Sequence, residues 1–177
     1  MRLFYALMPS ETVIATLREM MSGVSGARWQ SVRHLHLTLR FIGDVSSGRL
    51  VDDLATALPE GVATLPPLAL DGVGYFEGNG YPNALWVRAM PKEPLARLHR
   101  KLDHACQAAG LKPEGRSYLP HVTVARLPRS AGPIGPWIEQ HAAFAMAPAL
   151  FTRCSLVESI PGDEGHHYEE LAWVPLD

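Results

Sequence analysis

His36-Leu37-Thr38-Leu39-Arg40-Phe41-Ile42 and His121-Val122-Thr123-Val124-Ala125-Arg126 carry the same His-x-Thr-x pattern, once in each half of a 177-residue chain. Successive side chains of a β-strand point to opposite faces. In the first stretch Leu35, Leu37, Leu39 and Phe41 therefore share an apolar face, and His36, Thr38 and Arg40 share the other. In the second, Val122 and Val124 form the apolar face, while His121, Thr123 and Ala125 point away from it. The matching phase predicts two similar lobes in one domain spanning residues 1–177, each lending an imidazole and a hydroxyl to one cleft.

That set of groups suits cleavage of a phosphodiester. An attacking water must lose a proton and a departing alkoxide must gain one. Histidine, with an unperturbed pKa of about 6.5, can do either near neutral pH. Threonine hydroxyls can donate to the non-bridging oxygens, where charge grows in the transition state. An arginine can clamp the same oxygens in two-pronged fashion. Arg40 has the strand parity to do so. Which histidine is acid and which is base is not distinguished by this reading.

Outward from the two motifs, alternation predicts strands over 2–8, 68–73, 84–90, 151–159 and 168–176. Helical spacing predicts helices over 11–21, from Ser46 or Ser47 to 58, over 91–109 and briefly around 137–141, with Ser10 as the first N-cap. Residues 59–67 read as a turn-rich connector, and 74–83 as a glycine-rich loop between two strands. This mixture, with several hairpin-like neighbours, is α+β.

Composition narrows the function classes. Hydrophobic residues make up 47% and charged residues 19%, a globular profile. A formal net charge of −2 removes the broad basic field that drives non-specific duplex binding. Cys106 and Cys154 lack metal-ligand spacing and read as buried reduced thiols. The apolar opening run ends at Pro9, too soon for a secretory core, and no later stretch is long enough to span a membrane. A cytoplasmic protein is expected, without an obligate protein partner and monomeric.

Remaining residues of interest read more simply. His99 and His104 look like surface residues of a helix, and His166-His167 lack a convincing metal-ligand set. Trp29, Trp86, Trp137 and Trp173 read as structural. Tyr75 and Phe76 either pack on the core edge or stack on a nucleobase.

Residues 36–45, His-Leu-Thr-Leu-Arg-Phe-Ile-Gly-Asp-Val, and 120–127, Pro-His-Val-Thr-Val-Ala-Arg-Leu, resemble the two signature segments of the 2H phosphoesterases. The LigT-like RNA 2′,3′-cyclic phosphodiesterases are the most similar branch. The opening strand, Trp29, and Tyr168-x-x-Leu171-x-Trp173 are placed as in that family, so the likeness covers essentially the whole chain. The resemblance implies a single bilobal α+β domain with pseudo-twofold symmetric lobes. Largely antiparallel sheets would line a central cleft, with helices outside. It implies metal-independent and cofactor-free hydrolysis of a ribose 2′,3′-cyclic phosphate, on RNA ends or small nucleotides, to the 2′-phosphate. His36 would be the general acid, His121 the general base, and Thr38 and Thr123 the phosphate holders. Arg126 matches a family arginine near the phosphate. In an ideal strand Arg126 has the wrong parity, so it needs a bulge, a strand end or a turn back from the rim to join the site. Two competing functions fit the same motifs: a non-catalytic nucleotide- or RNA-end-binding module, and a related reaction such as 2′–5′ RNA ligation or opening of another cyclic phosphate.

Overall fold

A computed structural model describes residues 1–58, 65–163 and 165–176. Most of the expected connector, residues 59–64, lies outside them. The elements run β1 (Arg2–Pro9), α1 (Glu11–Glu19), β2 (Arg28–Trp29), a 3₁₀ turn (Val32–His34), β3 (Leu37–Asp44) and α2 (Gly48–Thr56). Then come β4 (Ala69–Gly78), β5 (Tyr81–Met90), α3 (Lys92–Ala108), β6 (His121–Arg126), α4 (Gly135–His141), β7 (Ala145–Met146), β8 (Phe151–Gly162) and β9 (Gly165–Pro175). Ser10 and Ser47 cap α1 and α2, each hydroxyl accepting a backbone N–H three residues on. No described helix is long and apolar enough to cross a membrane.

The strands form one antiparallel path, β7-β4-β5-β6-β3-β1-β8-β9, with β2 added on β6. Its two halves meet where β3 runs beside β6, joined by a single ladder pair, Leu37 with Val122. One sheet face carries Leu3, Tyr5, Leu7, Leu37, Leu85, Val122 and Leu156, all fully buried. Val13 and Leu17 of α1, Leu54 of α2, Leu95 and Leu102 of α3, and Trp137 of α4 pack into the same core. Every described α-helix therefore covers this face. The opposite face holds a small cluster, Phe4, Ala6 and Val157, with Tyr168 beside it.

The glycine-rich stretch is not a ten-residue loop. β4 and β5 run on through it and turn at Asn79-Gly80, both at positive φ (54° and 80°). Asn-Gly is the pair a two-residue hairpin turn prefers. Cys106 and Cys154 are free and buried.

Candidate active site

The Leu37–Val122 pair sets the register between the motifs. It puts His36 level with Thr123 and Thr38 level with His121, on the face away from the core. Residues diagonal to one another across such a pair stand roughly 7–8 Å apart at the backbone, and both imidazoles line one cleft.

Each imidazole is held the same way. His36 Nδ1–H donates to the His34 carbonyl at 2.6 Å, and His121 Nδ1–H donates to the Leu119 carbonyl at 2.7 Å. A carbonyl can only accept, so Nδ1 carries the proton and Nε2 faces the cleft with its lone pair. The Thr38 hydroxyl donates to His36 Nε2 at 3.1 Å. Aromatic rings buttress both. His36 lies 4.9 Å from Phe4 and 5.4 Å, edge-on, from Tyr168. His121 lies 4.9 Å, edge-on, from Phe76 and 6.1 Å from Trp86. Burial lowers the pKa of His36 to about 4; its hydrogen bond to His34 opposes this, and the charges of His121, Arg126 and His34 add to it. Burial also lowers that of His121, with Arg126 contributing.

Bulges decide which residues join them. In β6, Leu85 pairs with Ala125 and Trp86 with Thr123, leaving Val124 as an extra residue. The parity reverses there, Val124 and Ala125 are both fully buried, and Arg126 comes round to the face of His121 and Thr123. β3 repeats this: Tyr5 pairs with Arg40 and Ala6 with Thr38, leaving Leu39 extra. Arg40 is thus turned away from the small cleft that its ideal-strand parity predicts, which corrects the expected placement, and borders only the larger groove beside it. It is 5% exposed, with Nε donating to Asp103 at 2.6 Å, Nη2 to the Lys112 carbonyl at 2.8 Å and Nη1 to the Phe41 carbonyl. Phe41, expected in the core, is 40% exposed on the cleft side. Phe41 and Arg126 occupy equivalent positions, five residues after their histidines, so the cleft has one guanidinium side and one aromatic side.

His36, Thr38, His121, Thr123 and Arg126 line a cleft of about 140 Å³ together with Phe41 and Tyr168. That is the bulk of four or five waters at about 30 Å³ each, the scale of a phosphate group. The cleft opens into a groove of about 680 Å³ that shares Thr38, Phe41, His121 and Arg126 and adds Phe76, Arg116 and Tyr118.

Several supporting residues carried no readable signal. His99 is buried rather than superficial: its Nδ1–H donates to the Leu39 carbonyl at 2.6 Å, and its ring stacks on Tyr118 at 4.4 Å. The Tyr118 hydroxyl donates to the Thr38 carbonyl at 3.1 Å. These contacts, with those of Arg40, pin the β3 bulge from α3 and the segment after it. Trp86, read as structural, borders His121, and Trp173 is 58% exposed. His166 Nδ1 is hydrogen-bonded to the Ser159 hydroxyl. Among the described residues no group of three or more His, Cys, Asp or Glu is placed to hold a metal ion.

Fold and cleft together define a two-histidine phosphoesterase arrangement, and comparison with known proteins agrees. The model of the 2′-5′ RNA ligase superfamily matches residues 8–158. A curated RNA 2′,3′-cyclic phosphodiesterase of Thermus thermophilus is 34% identical over 136 residues, covering 71% of this chain and 68% of that one. Another, of Archaeoglobus fulgidus, is 25% identical over 176 residues, covering 97% and 98%. A third, of Geobacillus stearothermophilus, is 30% identical over 154 residues, of which the chain spans about half the length, 47%. A crystal structure of a Thermus thermophilus protein superposes with a TM-score of 0.77 at 26% identity, covering 99% of this chain and 98% of that one. Escherichia coli LigT complexed with 3′-AMP shares the fold, with a TM-score of 0.70 at 22% identity and 99% and 97% coverage. The chain belongs to the 2′-5′ RNA ligase superfamily, as a LigT-like 2H phosphoesterase.

Proposed function

We propose that the chain hydrolyses 2′,3′-cyclic phosphates of RNA ends or nucleosides to 2′-phosphates, with residues 1–177 acting as one catalytic unit. The observation that carries this reading is the pair of imidazoles, each fixed as the Nδ1–H tautomer, with both Nε2 atoms and two threonines turned into a phosphate-sized cleft. The curated relatives above bear the name of this activity.

In the step we propose, His121 Nε2 takes a proton from water as its oxygen attacks phosphorus. The bond from phosphorus to the ribose 3′-oxygen breaks, and His36 Nε2 gives that oxygen a proton. The products are a 2′-phosphate and a free 3′-hydroxyl, and proton exchange with solvent resets both rings. Thr38, Thr123 and Arg126 hold the non-bridging oxygens. The phosphate's negative charge counters the lowered pKa of His36 and allows it to be charged in the complex. The two imidazoles supply both proton transfers, so no step requires a metal. Phe76 lines the groove beside His121 and offers its ring for a base to stack on, and Phe76→Ala is expected to raise KM more than it lowers stability.

The test is product analysis after incubation with RNA ending in a 2′,3′-cyclic phosphate, in EDTA. A 2′-phosphate end is expected. A 3′-phosphate end reverses the leaving group, and binding without any product leaves only an end-binding module. His36→Ala and His121→Ala should each lower kcat by roughly 10²–10⁴-fold.

A further inference from the structure

β2 lies against β6 with Arg28 directly opposite Arg126 and Trp29 opposite Ala125. Directly opposed residues project to the same face of a sheet. Trp29 lies 6.3 Å from Trp137 in the core, and Ala125 is fully buried, so that pair faces the helices. The Arg28–Arg126 pair therefore faces the cleft. Gln30, two residues after Arg28, lines the cleft itself, and its N–H continues the pairing by donating to the Val124 carbonyl at 2.9 Å.

Two like charges set opposite each other on a sheet are unfavourable. Among the described residues no carboxylate lies within 4.0 Å of either guanidinium. The other ladder neighbour of Arg126 is Ala84, which carries no charge. Two exposed, unneutralised guanidiniums held one strand apart by the backbone form a site for two anionic groups. Arg126 lines the cleft between the histidines; Arg28 sits one strand further out, beyond it.

We propose that Arg28 binds a second phosphate of the substrate, the phosphodiester that joins the terminal nucleotide to the RNA chain. This rests on the cyclic phosphodiesterase reading. In RNA ending in a cyclic phosphate, the next negative charge is on the 5′ side of the same ribose. A cation beside the reactive phosphate site but outside it meets that charge, and the enzyme favours RNA ends over isolated nucleoside cyclic phosphates.

The experiment compares kcat/KM of the wild type, Arg28→Ala and Arg28→Lys on three substrates. These are adenosine 2′,3′-cyclic phosphate, its 5′-phosphorylated form, and a diadenosine dinucleotide ending in the cyclic phosphate. Loss of one charge-assisted contact is worth roughly 10–100-fold. Arg28→Ala should lower kcat/KM on the dinucleotide by that factor, mainly through KM, and by at least about tenfold less on the bare nucleoside. Arg28→Lys should recover part of the loss. The log–log salt slope for the dinucleotide should shrink by about 0.7 in Arg28→Ala. Equal losses on all three substrates, or no loss on the dinucleotide, would overturn the proposal while leaving the cyclic phosphodiesterase reading in place. A loss on the 5′-phosphorylated nucleoside alone would overturn the assignment to an RNA chain and point to a terminal phosphate. A wild type that cleaves none of the three overturns the cyclic phosphodiesterase reading, and this proposal with it.

Discussion

His36 and His121 owe their shared tautomer to two backbone carbonyls, each two residues upstream. Burial then keeps both rings neutral in the free protein at neutral pH. This has a consequence for stability. A histidine whose folded pKa is depressed contributes stability that is present above about pH 6.5 and lost as pH falls toward its folded value. For His36 that window runs from about 6.5 down to about 4. The free energy of unfolding should therefore fall as pH drops from 7 to 4, and His36→Asn should remove about 1–3 kcal/mol of that fall. An identical slope in both proteins would contradict the burial argument. That these two histidines share a face with Thr38 and Thr123 was legible from alternation, because both segments keep a period of two there; their roles came from the family resemblance. The faces of Arg40 and Phe41 were not legible, and Arg126, pointed to by the resemblance, reaches the site only through a bulge. Their faces are set by one unpaired residue in each strand, and that depends on the neighbouring strand rather than on local pattern.

The bulge in β3 is held from behind by α3 and the segment that follows it. Arg40 and Asp103 form a pair with side chains only 6% and 13% exposed. Arg40→Met leaves the Asp103 carboxylate without its cation in a buried setting and should cost roughly 3–5 kcal/mol of stability. Turnover of the folded fraction should fall by no more than about tenfold, since the guanidinium supports the bulge rather than the phosphate; a stable protein with the roughly 10²–10⁴-fold loss expected for the histidines would place Arg40 at the phosphate instead. Tyr118→Phe removes only the hydrogen bond to the Thr38 carbonyl, worth about 1 kcal/mol. It should lower kcat by about tenfold through misplacement of Thr38, with little change in KM. The β4–β5 hairpin bears on His121 through Trp86. A Cβ at Gly74 would stand 2.3 Å from the Trp86 ring, so Gly74→Ala must push Trp86 toward or away from His121. Activity should fall more than stability, and steady-state kinetics alongside thermal melting separates the two. Here Asn79-Gly80 did announce the turn, but the surrounding glycines obscured it: Gly74 admits Trp86, and it reads in isolation as a loop residue.

At the scale of the molecule, all four described helices cover one face of the sheet and leave the other bare. Two halves of the sheet meet at a single residue pair, so the motifs converge where backbone pairing is thinnest and a substrate can enter. Helix positions and most strand positions followed the sequence periodicities, except that β4 and β5 continue through the stretch read as a loop; β2 and β7, two residues each, are too short to show a period and arise only from pairing. β2 is nevertheless what brings Arg28 beside Arg126. If two histidines, one neutral and one charged in the complex, act together on one phosphorus, the pH dependence of kcat/KM on a nucleoside 2′,3′-cyclic phosphate must report both. Because kcat/KM reports the free enzyme, and burial depresses both histidines there, the profile should be a bell centred below about pH 6.5, with the optimum for kcat displaced upward by the bound phosphate. A profile flat from pH 5 to 9, with chemistry shown to be rate-limiting, would contradict it.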